Sequence, residues 1–324
     1  MIADLNPTED QTLIIDSIEG LLARALPMER LREDAAYGCA AERGVWGDLV
    51  DLGLFGFGLS ESAGGIGYGL PEEVLAARSF GRRCISSTVI ATMTAVHIAA
   101  AAGEAGLRDN LQDGSARAAF ANPVGSGDEA QLIDAADCDW LVLLSKPLKL
   151  LPRSAASAGR SVPSIDETIS LERAHLDLIG ALAADLEDRE SLLLAAYLVG
   201  ISQATLAMAT AYASTREQFG QPIGAFQAIK HSCADMAVRA AGAEAQSFYA
   251  ALAEKAADGN IGMEIACARL LAREAAIANA KANIQIHGAM GFTAECDAHL
   301  YLKRALVVAS LGSGARAEEK RILA

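Results

Sequence analysis

Arg216-Glu217-Gln218-Phe219-Gly220-Gln221-Pro222-Ile223-Gly224, running into Phe226-Gln227-Ala228-Ile229-Lys230-His231, lies between two long stretches whose apolar residues recur at helical spacing. Gly and Pro interrupt the helical pattern, so the stretch reads as a turn joining two long helices. It carries a fixed cation, an amide and an aromatic ring, a mixture that core packing does not ask for. Arg216 offers a planar charged fork suited to phosphate, and Gln218 adds neutral donors and an acceptor. Phe219 suits an aromatic or ribose edge. The plainer reading is a helix C-cap with a solvated arginine and a core phenylalanine, and these residues alone leave both readings open.

Outward from this turn, segments near 187–215, 225–256, 261–287 and 296–308 carry i, i+3, i+4 apolar spacing. Such a set predicts an antiparallel bundle of about four helices. A second turn follows its third segment: Gln285-Ile286-His287-Gly288-Ala289-Met290-Gly291-Phe292-Thr293-Ala294-Glu295. Gly288 and Gly291 would let a diphosphate approach without a Cβ clash. The plainer reading is an ordinary helix stop with a hydrogen-bonded structural His287.

Upstream, residues 114–180 change character. Short apolar runs such as Trp140-Leu141-Val142-Leu143-Leu144 alternate with Pro, Ser and Gly, as strands and turns do. The segment predicts a few strands rather than a substantial barrel, with an exposed Ser/Ala/Gly loop near 154–164. Residues 6–112 read as helices. Thr8-Glu9-Asp10-Gln11 opens the first with a polar cap and an acidic turn, and Trp46, Leu49, Leu52 and Leu54 continue the pattern up to Gly53–Gly58. Gly64-Gly65-Ile66-Gly67-Tyr68-Gly69 is a tight loop, and Pro71-Glu72-Glu73 starts the next helix.

Composition bounds the class. At 324 residues the chain is long for one core. Apolar residues make up 52%, much of it alanine in periodic runs, which argues for a helix-rich protein. A net charge of −14 disfavours nucleic acid and anionic membrane as partners. The six cysteines (39, 84, 138, 233, 267 and 296) lie far apart, as reduced thiols in a cytoplasmic protein do. The five histidines show no metal-ligand spacing with them, so no metal site is expected. Met1-Ile2-Ala3-Asp4-Leu5 has no basic region, so no secretory signal is expected. The apolar stretch 84–103 contains serines, threonines and His97, and reads as a buried helix rather than a membrane span.

Taken together, the Trp46…Gly53-Leu54…Gly64-Gly65-Ile66-Gly67 region, the Arg216–His231 turn and the Gln285–Arg304 block resemble the acyl-CoA dehydrogenase family. The last of these ends Asp297-Ala298-His299-Leu300-Tyr301-Leu302-Lys303-Arg304 and is the most specific. The resemblance implies a mostly α fold with a reduced β insert: an N-terminal helical domain (1–113), a shortened middle β-domain (114–183) and a C-terminal four-helix bundle (184–324). It implies FAD as cofactor and Cα–Cβ desaturation of an acyl-CoA thioester, with an electron-transferring flavoprotein as acceptor. Arg216, Gln218, Phe219, Gln285, Gly288 and Gly291 would then be FAD contacts, typically to the FAD of a neighbouring subunit. Ala289 stands where the family has a second glycine.

Two departures shape what the resemblance implies. Phe120-Ala121-Asn122-Pro123-Val124-Gly125-Ser126-Gly127-Asp128 stands for the family's Thr-Glu-Pro-x-x-Gly-Ser-Asp-like stretch, with Ala121 in place of the flavin-facing threonine. A later Lys-x-x-Ile-Thr-Asn strand has no counterpart. The usual C-terminal catalytic glutamate is replaced by Leu311 in Ala309-Ser310-Leu311-Gly312-Ser313-Gly314, and leucine cannot accept a proton. A smaller group that includes isovaleryl-CoA dehydrogenase carries its base ten residues before a helical glycine, and Glu190, which leads to Gly200, matches that position. Glu190 reads equally as a first-turn acid paired with Arg189 or Arg173. The chain resembles the shorter subunit of heteromeric bacterial enzymes acting on steroid side-chain CoA esters. That implies a heterotetramer with a second acyl-CoA dehydrogenase-like chain, with a homo-oligomer or a non-catalytic structural subunit as alternatives.

Overall fold

The computed structural model describes residues 4–32 and 40–324, so Cys39 and the expected helical residues 33–39 lie outside the described residues. The helices are α1 (Glu9–Ala25), α2 (Ala40–Gly44), α3 (Trp46–Asp51), α4 (Leu70–Arg82), α5 (Thr88–Ala101) and α6 (Ala105–Gln112), then after the strands α7 (Glu187–Thr215), α8 (Gln227–Ala256), α9 (Ile261–His287), α10 (Ala298–Ala309) and α11 (Ala315–Ile322). The opening cap is a reciprocal box. The Thr8 hydroxyl accepts from the Gln11 backbone N–H at 3.2 Å, and the Gln11 carboxamide accepts from the Thr8 N–H at 2.9 Å.

Contacts gather the chain into two compact units. One comprises Asp16–Glu73 and Ile85–Ser191. Its centre is a sheet of β1 (Ala118–Pro123), β2 (Glu129–Ile133), β3 (Trp140–Leu143), β4 (Leu148–Pro152), β5 (Arg160–Ser161), β6 (Leu171–His175) and β7 (Leu182–Ala184), ordered β5-β6-β2-β1-β3-β4-β7. Only β1 and β3 run parallel. Seven strands correct the expectation of a few. Alternate residues Ala119, Ala121, Leu132, Leu141, Leu143 and Ala174 form one apolar face. In β1 and β3 the intervening residues Ala118, Phe120 and Val142 are buried too, so the central strands read as continuous apolar runs. Helix α5 packs against this sheet, and the Ala118 backbone N–H donates to the Thr92 hydroxyl at 3.0 Å. Every residue from Thr88 to Ala99 is buried, as expected for the 84–103 stretch. The 154–164 loop is mostly exposed and carries the short edge strand β5.

The other unit comprises residues 4–15, Val74–Cys84 and Leu192–Ala324. Helices α8 and α9 pack along their length, with α10 and α11 against α9. Helix α11 is a fifth C-terminal helix that the apolar spacing did not predict. Asn279 ties the bundle centre together: its amide donates to the carbonyls of Ser202 at 3.2 Å and Met236 at 2.9 Å, and its oxygen accepts from Arg239 at 2.9 Å. Full satisfaction is what lets a polar side chain sit there. Helix α7 is long and apolar enough to cross a membrane, but most of its apolar window is buried inside the protein, as in a core helix.

Candidate functional site

The Arg216 turn is a tight hairpin. Glu217–Gln218 pairs antiparallel with Gln221–Pro222, and Phe219 and Gly220 both take positive φ, +53° and +79°. That is the primed geometry of a two-residue hairpin, in which a phenylalanine at the first central position is costly. The Phe219 ring is 92% exposed and meets only the edge of Phe226, at 6.0 Å between centroids. The core-phenylalanine reading is therefore excluded. Arg216 and Gln218 are also exposed, and the Gln218 amide donates to the Glu217 carbonyl at 2.7 Å.

The second turn emerges at the same end of the bundle. Ile223, which follows the hairpin, and Ile286, beside the second turn, pack in one apolar cluster with Ala209, Ala213 and Met236. Tyr212 in the last turn of α7 stacks on His287 in the last turn of α9, with centroids 4.1 Å apart. The Nδ1 of His287 lies 2.9 Å from the Asn283 carbonyl, which makes the ring a structural spacer between the two turns. This stacking is a tertiary contact that neither motif announces. Gln285 and Gly288 are exposed, and Phe292 is 74% exposed. Gly288 takes φ +61°, and a Cβ there would meet nothing within 4 Å. Gly291 differs: a Cβ there would lie 2.7 Å from the Ile284 carbonyl oxygen and 3.2 Å from the His287 Cβ. The chain's own packing demands glycine at 291.

Two positions singled out in the sequence lack chemistry. Ala121 is fully buried in the sheet's apolar cluster and offers no hydroxyl. Leu311 is 2% exposed, and its carbonyl accepts from buried Arg269 at 2.9 Å. Asp128, at the end of the degraded β1–β2 stretch, lies 3.0 Å from His175, and the hydrogen bond between them lowers the pKa of the acid and raises that of the histidine.

Glu190 lies in the first turn of α7 and is 4% exposed. The ion pairs of the arginines expected beside it go elsewhere: Arg189 lies 3.2 Å from Glu73, and Arg173 lies 3.9 Å from Glu129. Glu73, in the first turn of α4, was not singled out in the sequence as a buried charge. Its Oε1 accepts from the Gly58 N–H at 3.1 Å and lies 2.7 Å from the Nε2 of His97. Burial works to raise its pKa, but the charges of His97 and Arg189 and the hydrogen bonds from His97 and Gly58 outweigh it, and the pKa is lowered.

An alanine-rich helical protein with an interposed sheet and two solvent-facing helix-end turns defines a class, and comparison with known proteins names it. Residues 8–111 match the domain described as Acyl-CoA dehydrogenase, N-terminal domain, and residues 184–324 match Acyl-CoA dehydrogenase, C-terminal domain. The chain is 33% identical to the acyl-CoA dehydrogenase FadE34 of Mycobacterium tuberculosis, over 82% of this chain but 39% of that longer protein. It is 30% identical to the acyl-CoA dehydrogenase IpdE2 of the same organism, over 93% of this chain and 92% of that one. The fold superposes on the ChsE4-ChsE5 complex from Mycobacterium tuberculosis with a TM-score of 0.80 at 20% identity, over 99% of this chain and 98% of that chain. On the Tcur3481-Tcur3483 steroid ACAD the TM-score is 0.81 at 22% identity, over 97% and 96% of the two chains. The chain belongs to the acyl-CoA dehydrogenase family, flavoprotein oxidoreductases that act on acyl-CoA and bind FAD.

Proposed function

We propose that this chain is a subunit of a cytoplasmic, FAD-dependent acyl-CoA dehydrogenase and completes the FAD site of a partner chain. The observation that carries the reading is the pairing of the two turns at one end of the bundle. Arg216, Gln218, Phe219 and Gln285 stand in solvent there, and no ion pair takes Arg216 among the described residues. A fork, two carboxamides and an aromatic ring fit a diphosphate and adenosine. Gly288 leaves space beside them, while Gly291 acts indirectly by letting the turn close. Fully buried Ala121 offers the flavin ring no hydroxyl, which favours a partner supplying the ring's cradle.

FAD, when bound, supplies the hydride acceptor. This chain would supply the base: Glu190, buried at the first turn of α7, would remove the α-proton of the thioester. With Leu311 filling the usual position, Glu190 is the acid that fits that role. Heteromeric neighbours in the fold comparison support a heteromer, and the steroid ACAD among them supports a steroid side-chain CoA ester as substrate. The second reading, a structural subunit without catalysis, draws on Leu311 and Ala121. A structural subunit, however, has no use for an exposed ring held at positive φ.

Purification of the chain alone and with a co-expressed full-length family member tests the shared site. Flavin absorbance per chain should rise to stoichiometric only in the complex. Stoichiometric flavin on the chain alone contradicts a shared site.

A further inference from the structure

We propose that Glu73 is a positioning residue for the reaction: by holding Arg189, it anchors the first turn of α7 and fixes the aim of Glu190. The proposal rests on the reading of Glu190 as the base. Glu73 is 1% exposed and joins three helices and a loop: α4 carries it, α5 carries His97, α7 carries Arg189, and Gly58 lies in the loop between α3 and α4. One carboxylate oxygen takes the Gly58 N–H and lies 2.7 Å from the His97 Nε2, which also lies 3.3 Å from the Arg189 Nε, so the three side chains form one cluster. The Arg189 Nε lies 3.2 Å from the other oxygen, and its Nη2 donates to the Gly58 carbonyl at 3.4 Å. A Cβ on Gly58 would sit 2.3 Å from the Glu73 Oε1 and 2.5 Å from the Arg189 Nη2, so the loop backbone closes the cluster.

Burying a carboxylate against a guanidinium is a poor route to stability alone, because desolvation consumes most of the Coulomb gain. What such a cluster does specify is geometry. The element it orders at α7 is a first turn, where backbone N–H groups lack helical partners and fraying starts. Adjacent helical residues point in different directions, so a guanidinium fixed on one side sets the roll of the turn and hence the direction of residue 190. It also keeps a permanent cation off the helix face that carries the base. A base displaced by about 1 Å loses on the order of 100-fold in rate.

The test uses the full-length protein in the assembly that retains flavin, comparing wild type with Glu73→Gln, Arg189→Lys and Glu190→Gln. Butyryl-CoA, isovaleryl-CoA and a steroid side-chain acyl-CoA serve as probes of flavin bleaching, and amide exchange is followed over residues 187–194. Glu73→Gln and Arg189→Lys should retain flavin and lose about 10- to 100-fold in the limiting bleaching rate, with the half-saturating substrate concentration unchanged. Amide exchange should quicken in the first turn of α7 while α8 and α9 stay protected. A merely structural role moves melting temperature without moving the limiting rate of the folded, flavin-loaded fraction. Should Glu73→Gln fail to fold, Arg189→Lys, which keeps the charge and loses the fork, decides. Wild-type bleaching and wild-type exchange in a folded variant overturn the proposal, the exchange arm deciding alone if none of the probes is a substrate. If Glu190→Gln is inactive while Glu73→Gln is fully active, only the positioning role fails. If Glu190→Gln also bleaches at the wild-type rate, the base reading fails and takes this role with it.

Discussion

Phe219 holds a conformation that its own chain gives little return for: φ is +53°, the ring is in solvent, and its one ring contact is the edge of Phe226. Strain of this kind persists at binding sites, where a ligand repays it. Phe219→Gly should therefore raise the stability of the isolated chain by about 0.5–1 kcal/mol and weaken FAD retention, read by thermal melts and flavin absorbance. A less stable variant with undiminished flavin would mean that the ring serves the chain itself. At Gly291 the expectation runs the other way: Gly291→Ala forces a methyl group against the Ile284 carbonyl and should cost about 1–3 kcal/mol in a denaturant titration. Glu190→Gln should leave flavin content unchanged and abolish bleaching by acyl-CoA, and undiminished bleaching would make the residue structural. The identities of Arg216, Gln218, Phe219 and Gln285 were legible as a mixture of chemistries foreign to a core, and the exposure of Phe219 removed the core phenylalanine from the plainer reading while leaving its solvated arginine. The burden on Gly291 was not legible, because the carbonyl it must avoid belongs to the turn's three-dimensional closure. Nor was the Glu73 cluster: Glu73, His97 and Arg189 are far apart in sequence, and each reads alone as a solvated or lone polar residue.

Helices α7 to α10 were legible because apolar residues recur at helical spacing over stretches too long for strands, and the Thr8 box marked the start of α1. The sheet was harder. Strands β5 and β7 have two and three residues, and β6 reads Leu-Glu-Arg-Ala-His, so none shows alternation long enough to stand out. They exist because neighbours pair with them, which is tertiary information. Helix α11, which carries no apolar side chain larger than alanine's before Ile322, is likewise held by its contacts with α9 rather than by its own pattern. The element-scale consequence of Glu73 is pH dependence. Its folded pKa lies below the ordinary value of 4.5, so ionised Glu73 stabilises the fold above that value, and the contribution fades as pH falls through the depressed folded pKa. Removing one partner of such a buried pair costs on the order of 3 kcal/mol at neutral pH. The stability gap between wild type and Glu73→Gln should thus be widest near pH 7 and close under acid conditions, as melting curves across pH will show. A gap independent of pH would mean that the carboxyl is not ionised in the fold.

For the whole molecule, family membership sets the chemistry, and the departures are what motivate the proposed shared site. Ala121, at the counterpart of the flavin-facing threonine, and Leu311, at the usual base position, are both buried and apolar, while the two helix-end turns face solvent and Glu190 is buried at the first turn of α7. That distribution suits a subunit that contributes half of a shared site. The acyl group is not written in any single motif, because a cleft's width is a property of packed elements rather than of residue order. The central claim is that the two turns clasp the nucleotide end of FAD, and the FAD dissociation constant of Arg216→Ala in the intact assembly tests it most directly. Loss of a charge-assisted fork on phosphate should weaken binding by about 10- to 100-fold, whereas an affinity equal to wild type would contradict the account.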